Sequence, residues 1–454
     1  MTLRVRVPKL RRIVGAAAVV AAAWCGAAGA QPDASLGLLE AYMAARANDP
    51  VFQAAIADQR AGQEFEAIGR ASLLPSISAV LSTNRNSAVV DAADGSREDR
   101  GDYTSRTNAI QLRQPLFNPE GWAARRQGIA RAAEAQAQFR HRQQELIVRV
   151  FDAYSQALVA QEEVQLVRAQ LAALDTLLQA NEQRLRAGEG TRTEVLETSA
   201  KRALVRARLV EAQDAYANRL EALRALVGVP FARLHTLRTG AAARVEAPGS
   251  LEEWRRRAHA ASAELESLRH AVTVAREEMR RLQSGHLPRL DLLLSAGRSA
   301  SETTATFQQS SSTRTVGLQL NVPLYSGGAV SAQVRQAAAL VDRAQAELDI
   351  RRAELDVELH RHYAVLQQGT LRYEALSEAV AAGEALVLAT ERSVAGGERT
   401  NVDVIDARER LAQARRDLAR AGYEQLTALL RLRLLAGELD EAQLQALAAR
   451  FVAG

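Results

Sequence analysis

A duplicated segment constrains the fold of this chain more than any other sequence feature. Residues 393–407 (SVAGGERTNVDVIDA) form a glycine-containing turn followed by a helical pattern, and a shifted copy at residues 187–197 (AGEGTRTEVLE) lies 209 residues earlier. Each copy joins two helical tracts. Because a duplication of this length implies two similar structural units, we predict a first repeat over residues 31–250 and a second over residues 251–454.

The first 30 residues have the pattern of a cleavable secretory leader. Five basic residues precede an apolar run at residues 13–24, and residues 28–30 (AGA) resemble a cleavage site. The only cysteine, Cys25, lies in this segment, so the rest of the chain suits an oxidising periplasm. Lipidation of Cys25 is the alternative, although residues 22–24 (AAW) form a poor lipidation signal.

Net charge argues against a nucleic-acid partner. Once residues 1–30 are set aside, 53 basic residues face 53 acidic ones, and the arginines are scattered along the chain. A nucleic-acid surface needs a clustered basic face.

Alternating apolar residues predict two β-hairpins. Beyond the leader no apolar run reaches the ~20 residues that a membrane-spanning helix needs, so strands are the remaining way to cross a membrane. The first predicted hairpin covers residues 76–117 and the second covers residues 289–324. We expect residues 84–106 to be a long polar loop at the tip of the first hairpin.

The rest of the chain has helical periodicity. One helix of about 68 residues is expected from Pro119 to Gly188, a second one of similar length ends at the glycines before residue 398, and each is followed by a shorter helix. Apolar residues seven apart indicate coiled-coil packing. Residues 35–71 and 251–285 are predicted as one helix each, and residues 231–250 as a linker.

Four strands and long helices require an assembly of several copies. An open sheet edge in lipid leaves unpaired N–H and C=O groups, and about eight strands are the practical minimum for a closed barrel. Three copies supply twelve strands, although two copies with eight would also close. The hairpin tips point one way and all helices the other, so the helices are expected in the periplasm.

This layout resembles the TolC family of outer-membrane channels over nearly the whole chain that follows the leader. The stretches that carry the resemblance are residues 73–75 (LLP), 285–292 (GHLPRLDL), 322–328 (VPLYSGG) and 397–407 (GERTNVDVIDA). The resemblance implies a mainly α fold with a β-hairpin membrane part. It also implies a homotrimer with a 12-stranded transmembrane β-barrel, four strands per chain, continued by a long periplasmic α-helical coiled-coil tunnel. By the same resemblance, an inner-membrane pump and a periplasmic adaptor protein would open the closed inner end of this tunnel.

The family also implies roles for residues of the duplicated segment. Asp403 and Asp406 match the acidic rings that narrow the periplasmic entrance, and Arg399 matches a latch residue that links to the neighbouring coil at positions matching Thr193 and Glu194. Residues three apart share a helix face, so three copies would gather six carboxylates around one axis. Without the resemblance, the acids would be read as favourable charges at a helix N-terminus.

Two further details follow from the same alignment. A latch tyrosine of the family falls at Val394, so we expect a weaker closed state. Glu197, opposite Asp406 in the repeat, is interpreted as a solvated helix start. Carboxylates gathered around one axis favour binding of a multivalent cation, so such ions are expected to block the aperture at Asp403 and Asp406.

The predicted function is an outer-membrane exit channel for type I secretion of a protein toxin of the cyclolysin class, with an ABC transporter and an adaptor as partners. Small-molecule efflux with a proton-driven pump is the alternative, and a periplasmic coiled-coil adaptor is an alternative of another class. No catalytic residue, cofactor or structural metal site is predicted: no nucleophile or phosphate loop stands out, and His360 and His362 point to different faces of a helix.

Overall fold

The computed structural model describes residues 35–91, 95, 97–238, 249–303 and 306–452, and the predicted leader at residues 1–30 lies outside them. The elements of the first half are β1 (Ser35–Leu36), α1 (Leu38–Asn48), α2 (Pro50–Ala71), β2 (Ser76–Asp91), β3 (Arg97–Phe117), α3 (Pro119–Arg186), α4 (Arg192–Val227), β4 (Arg233–Leu234) and β5 (Thr236–Leu237).

The second half repeats the order of the main elements. They are α5 (Leu251–Ala261), α6 (Ala263–Gln283), a 3-10 turn (Ser284–His286), β6 (Arg289–Thr303), β7 (Thr306–Asn321), α7 (Ala329–Ala395), α8 (Asn401–Leu435), α9 (Glu441–Ala448) and β8 (Phe451–Val452). The sequence did not predict α9 or the two-residue strands. The boundary between the repeats at residue 250 remains a prediction. Among the described residues, no helix has the length and apolar character needed to cross a membrane.

The two long helices are confirmed. Helix α3 has 68 residues and α7 has 67. Helix α3 packs against α2 and α6 near the sheet and against α4 and α8 further away, and α7 packs against α6 and α8. At 1.5 Å per residue each long helix is roughly 100 Å long. Shorter helices therefore lie one after the other along it.

The prediction of one unbroken helix at each repeat start is wrong. The first breaks at Asp49, whose backbone is extended (ψ 116°) because the following Pro50 disfavours a helical conformation before it. The Asp49 carboxylate then accepts a hydrogen bond from Phe52 N–H (3.1 Å) and starts α2. The second breaks at Ser262, whose backbone also leaves the helical region (ψ 119°).

The strands are longer than predicted. Strand β2 continues to Asp91 and β3 begins at Arg97, so most of the predicted loop at residues 84–106 is paired strand. Asn84 pairs with Ser105 in this extension. Ladder hydrogen bonds join backbone groups, so the pairing continues after the apolar alternation has ended.

The four strands form one antiparallel sheet in the order β2-β3-β6-β7 with two different faces. A row of apolar side chains crosses the sheet in register, through Ile77, Leu112, Leu294 and Val316. The next row on the opposite face is polar, through Ser78, Gln111, Ser295 and Thr315. The predicted alternation therefore holds across all four strands.

The motif at residues 285–292 contributes an ion pair between strands. Asp291 of β6 is almost fully buried, and Arg113 of β3 donates to its carboxylate at 2.6 Å. Arg289 lies 3.2 Å from the same carboxylate. This cluster fixes β3 against β6 close to the point where the strands meet the helices.

The helices continue the strands in the same lateral order. Next to the sheet the helices lie side by side in the order α2, α3, α6, α7. Further from the sheet, α4 takes the place of α2 beside α3, and α8 takes the place of α6 between α3 and α7. The largest core, which we call the central belt, lies between these two levels, around Tyr42, Phe151, Tyr154, Trp254 and Leu265. The described chain thus has a sheet at one end, the central belt in the middle and two helical hairpins at the other end.

Candidate functional site

The candidate site lies at the tip, meaning the helical end formed by the turns at residues 187–191 and 396–400. Both turns use a glycine in the left-handed region, Gly188 and Gly397, each with φ +78°. A side chain is disfavoured at such an angle. In the first turn Glu189 N–H donates to the carbonyl oxygen of Arg184, and the corresponding bond of the second turn has the same 2.9 Å length. The duplicated sequence therefore forms duplicated turns.

Each turn is followed by a threonine and an acid that begin the next helix together. Thr191 N–H donates to the Glu194 carboxylate, and Glu194 N–H donates to the Thr191 hydroxyl, both at 3.2 Å. In the second turn Thr400 donates to Asp403 through its N–H (2.9 Å) and its hydroxyl (2.8 Å). Glu194 and Asp403 thus satisfy backbone groups at the starts of α4 and α8.

The pKa of Asp403 lies below its ordinary value. The hydrogen bonds from the Thr400 N–H and hydroxyl hold the pKa of Asp403 below its ordinary value, and the positive charge of Arg399 acts in the same direction. Within one chain this carboxylate is therefore a local helix cap, bonded to the Thr400 N–H and hydroxyl.

Asp406 forms a contact between the two helical hairpins. Lys201 of α4 donates to its carboxylate at 2.8 Å, although the two residues are 205 positions apart. The sequence interpretation missed Lys201. A compositional signal was present, because Lys9 and Lys201 are the only lysines of the chain and Lys9 lies in the predicted leader.

A small apolar cluster borders this ion pair. Ile405 of α8 is buried against Val167 and Leu174 of α3 and Val205 of α4. Val205 lies one helical turn beyond Lys201, and Ile405 precedes Asp406. An apolar contact and an ion pair thus attach the beginning of α8 to the other hairpin at one place.

The predicted latch residues do not meet within one chain. Arg399 is exposed and, among the described residues, forms no hydrogen bond or ion pair with Thr193 or Glu194. Glu197 is exposed and has no ion-pair partner in the part of the chain that the structure describes. A contact between Arg399 and these residues would therefore need a second copy of the chain, which the sequence analysis did not specify.

The histidines that the sequence analysis considered lie far from the tip. His362 of α7 is buried, and its pKa is lowered to about 4 by burial, then by the charges of Arg361 and Arg431. Within the described ranges no group of three or more His, Cys, Asp or Glu side chains converges on a metal site. A cation at Asp403 and Asp406 would therefore need carboxylates from several copies.

Comparison with known proteins gives consistent results across the chain. The family model described as outer membrane efflux protein matches residues 41–229 and 254–438. Alkaline protease secretion protein AprF of Pseudomonas aeruginosa is 40% identical over 92% of this chain and 88% of its own length. Proteases secretion protein PrtF of Dickeya chrysanthemi is 39% identical over 92% of this chain and 91% of its own length.

A solved structure has the same fold. CusC, whose crystal structures concern its folding and transmembrane channel formation, aligns with a TM-score of 0.75 over 89% of this chain and 92% of its own. The identity of that alignment is 14%, so this likeness concerns the fold alone. The predicted fold class is confirmed at this level.

Proposed function

Because this chain belongs to the outer membrane efflux protein family, we propose that it is the outer-membrane exit channel of a tripartite export system and releases a secreted protein in type I secretion. The observation that supports this proposal most directly is the sheet, which has one apolar and one polar face and continues into four helices. Its apolar face is exposed: Val316 and Leu318 have 77% and 67% of their surface accessible, which suits contact with lipid.

The strands are long enough to cross a bilayer. A tilted membrane strand needs about 9–11 residues, and β6 and β7 have 15 and 16. The polar face of the same sheet then lines the lumen, because strand side chains alternate between the two faces. In this arrangement the barrel lies in the outer membrane and the helices extend into the periplasm.

The assembly that we propose is a homotrimer. Strands β2 and β7 are the edges of the described sheet, and each has a neighbour on one side only. Unpaired backbone groups at an edge in hydrocarbon cost several kcal/mol each, so β7 of one copy should pair with β2 of the next. Three copies close twelve strands.

The aperture would lie at the tip of this trimer. Asp403 and Asp406 of three copies would surround the axis, and Arg399 would contact Thr193 and Glu194 of the neighbouring copy. Support comes from the position of both turns at the helical end opposite the sheet and from the lowered pKa of Asp403, which favours its charged form. The latch remains a proposal because it joins residues of different copies.

The proposed cargo is a secreted protease. AprF and PrtF are both named for protease secretion, and each covers nine-tenths of this chain. The partners would be a periplasmic adaptor protein and an inner-membrane ABC transporter. Toxin export, which the sequence analysis favoured, stays a prediction. Small-molecule efflux with a proton-driven pump is the second candidate, favoured by the description of the matching family.

One deletion strain separates these functions. We expect deletion of the gene to abolish the extracellular activity of a type I secreted protease and re-expression to restore it. The purified protein should be a trimer in detergent when its mass is measured by light scattering. Unchanged protease secretion together with increased sensitivity to small toxic compounds would favour efflux. A folded monomer in detergent would contradict the channel architecture.

A further inference from the structure

We propose that Lys201 is a positioning residue of the aperture: its ion pair with Asp406 attaches the α7–α8 hairpin to the α3–α4 hairpin of the same subunit and holds the tip closed. The inference rests on the proposed channel function. We call Lys201, Asp406 and the neighbouring Ile405 the tip clamp.

The tip clamp contains the ion pair between the hairpins that lies furthest from the central belt. Within the described residues three side-chain ion pairs join α3 or α4 to α8, and their α8 members are Asp406, Arg416 and Arg431. Asp406 lies ten residues, or ~15 Å, closer to the tip than Arg416. Separation of the hairpins at the tip must therefore break the Lys201–Asp406 pair first.

The next pair along α8 is better protected from water. Arg416 donates to both carboxylate oxygens of Glu163, at 2.8 and 3.0 Å, and their side chains are only 16% and 22% exposed. Lys201 and Asp406 are 39% and 47% exposed and share a single contact. Both Arg416 contacts come from one guanidinium nitrogen. Exposed ion pairs are weak, and partly buried pairs are screened less by water and salt. Arg416 can thus act as a fixed point while the tip separates.

The chemistry of lysine suits a contact that must be broken and formed again. An ammonium group on a flexible chain makes point contacts, whereas the arginine fork holds a carboxylate in a fixed geometry. All other basic side chains beyond residue 30 are arginine or histidine. The one lysine of that part of the chain occupies the position where a weak pair joins the hairpins.

The apolar member of the clamp responds to the same movement. Ile405 is buried between α3 and α4, so α8 cannot leave Lys201 without withdrawing Ile405 from Val167, Leu174 and Val205. Opening also releases the Asp406 carboxylate from its counter-charge. In a trimer three carboxylates would be released, so the open aperture should select cations more strongly than the closed one.

Single-channel recording in planar bilayers tests the clamp. Lys201→Met should shift the balance towards the open state by about twofold for each broken pair, and roughly tenfold for three pairs in a trimer, as expected for exposed ion pairs. The conductance and the preference for cations should both rise. Lys201→Arg, which keeps the positive charge opposite Asp406, should retain most of the closed state and conduct less than Lys201→Met.

Arg202→Met is the matched control. Arg202 is adjacent in sequence and pairs with Asp175 at similar exposure, but both residues belong to the α3–α4 hairpin. This variant should conduct like the wild type. Equal conductance of Lys201→Met and the wild type, or an equal rise in Arg202→Met, would overturn the inference.

Acylation of the lysine gives an independent readout. Lys201 carries the only side-chain amine beyond residue 30, so an amine-reactive acetyl ester should raise the conductance of the wild type and leave Lys201→Arg unchanged. Equal responses of both proteins would overturn the inference, since they share the N-terminal amine. Wild-type protein that forms no conducting trimer would instead contradict the proposed function.

Discussion

Replacing Asp49 by alanine should destabilise the central belt through two separable losses. The Asp49 side chain is 4% exposed; it accepts the Phe52 N–H and two contacts from Arg149, at 2.9 and 3.3 Å. Loss of an N-cap costs about 1 kcal/mol. Loss of the hydrogen bonds from the charged Arg149 should cost about 1.5 kcal/mol more. This is the lower end of the range for such bonds, because Arg149 is 35% exposed. The sum is about 2–3 kcal/mol per chain.

Asparagine at the same position separates the two losses. Asp49→Asn keeps an oxygen that can cap α2 but removes the charge, so its destabilisation should be about half that of Asp49→Ala. Asp58→Ala is the control: Asp58 lies on the same helix, is exposed and should change the free energy of unfolding by less than about 0.5 kcal/mol.

The assay is thermal unfolding of the purified protein in detergent, followed by the helical circular dichroism signal at one fixed scan rate. Apparent midpoints are compared because the unfolding of a large protein in detergent is expected to be irreversible. The expected order is wild type and Asp58→Ala highest, Asp49→Asn intermediate and Asp49→Ala lowest. Asparagine as destabilising as alanine would refute the capping role, and an asparagine variant as stable as the wild type would refute the contribution of the Arg149 pair.

Three further predictions concern the aperture and the belt. Arg399→Ser should raise single-channel conductance by removing the proposed latch, and an unchanged conductance would show that Arg399 does not hold the aperture closed. Asp403→Ala with Asp406→Ala should remove the block by a trivalent cation added from the periplasmic side, while trimers persist; equal block of both proteins would exclude these carboxylates as ligands. Burial lowers the pKa of His362 from 6.5 to about 4, so the folded state binds this proton less readily than the unfolded chain. Stability should therefore fall by roughly 2–3 kcal/mol as pH decreases from 6.5 to 4. His362→Gln should remove that part of the pH dependence of unfolding, and an identical dependence in this variant would contradict the assignment.

Patterns local in sequence predicted the long elements well. The turn residues that bound the helical tracts predicted the lengths of α3 and α7 to within a residue or two, and the glycines of the duplicated segment marked both tip turns. These features follow from backbone preferences and from the burial of one helix face. The break at Asp49 was also readable, because an aspartate before Pro50 is a standard helix start, but the apolar stripe on both sides hid it.

Contacts between distant segments could not be predicted in the same way. Lys201 meets Asp406 only because two coiled-coil hairpins pack at one particular register, and a shift by one helical turn would separate the side chains by ~5 Å. The extension of β2 to Asp91 has a related cause, because polar residues there pair through backbone groups whose partners lie on another strand. The latch at Arg399 is harder still to predict from the sequence, because its proposed partners belong to another copy of the chain.

The reach of α7 beyond the central belt makes this helix a lever. Leu366 is the last residue of α7 in the main core, and 29 residues separate it from the end of the helix at Ala395. At 1.5 Å per residue that arm is ~44 Å long, so a rotation of ~5° at the belt displaces its far end by ~4 Å. A partner that grips the tunnel near its middle therefore needs only a small angular adjustment there, and the geometry of the rod converts it into a movement wide enough to admit a side chain at the entrance.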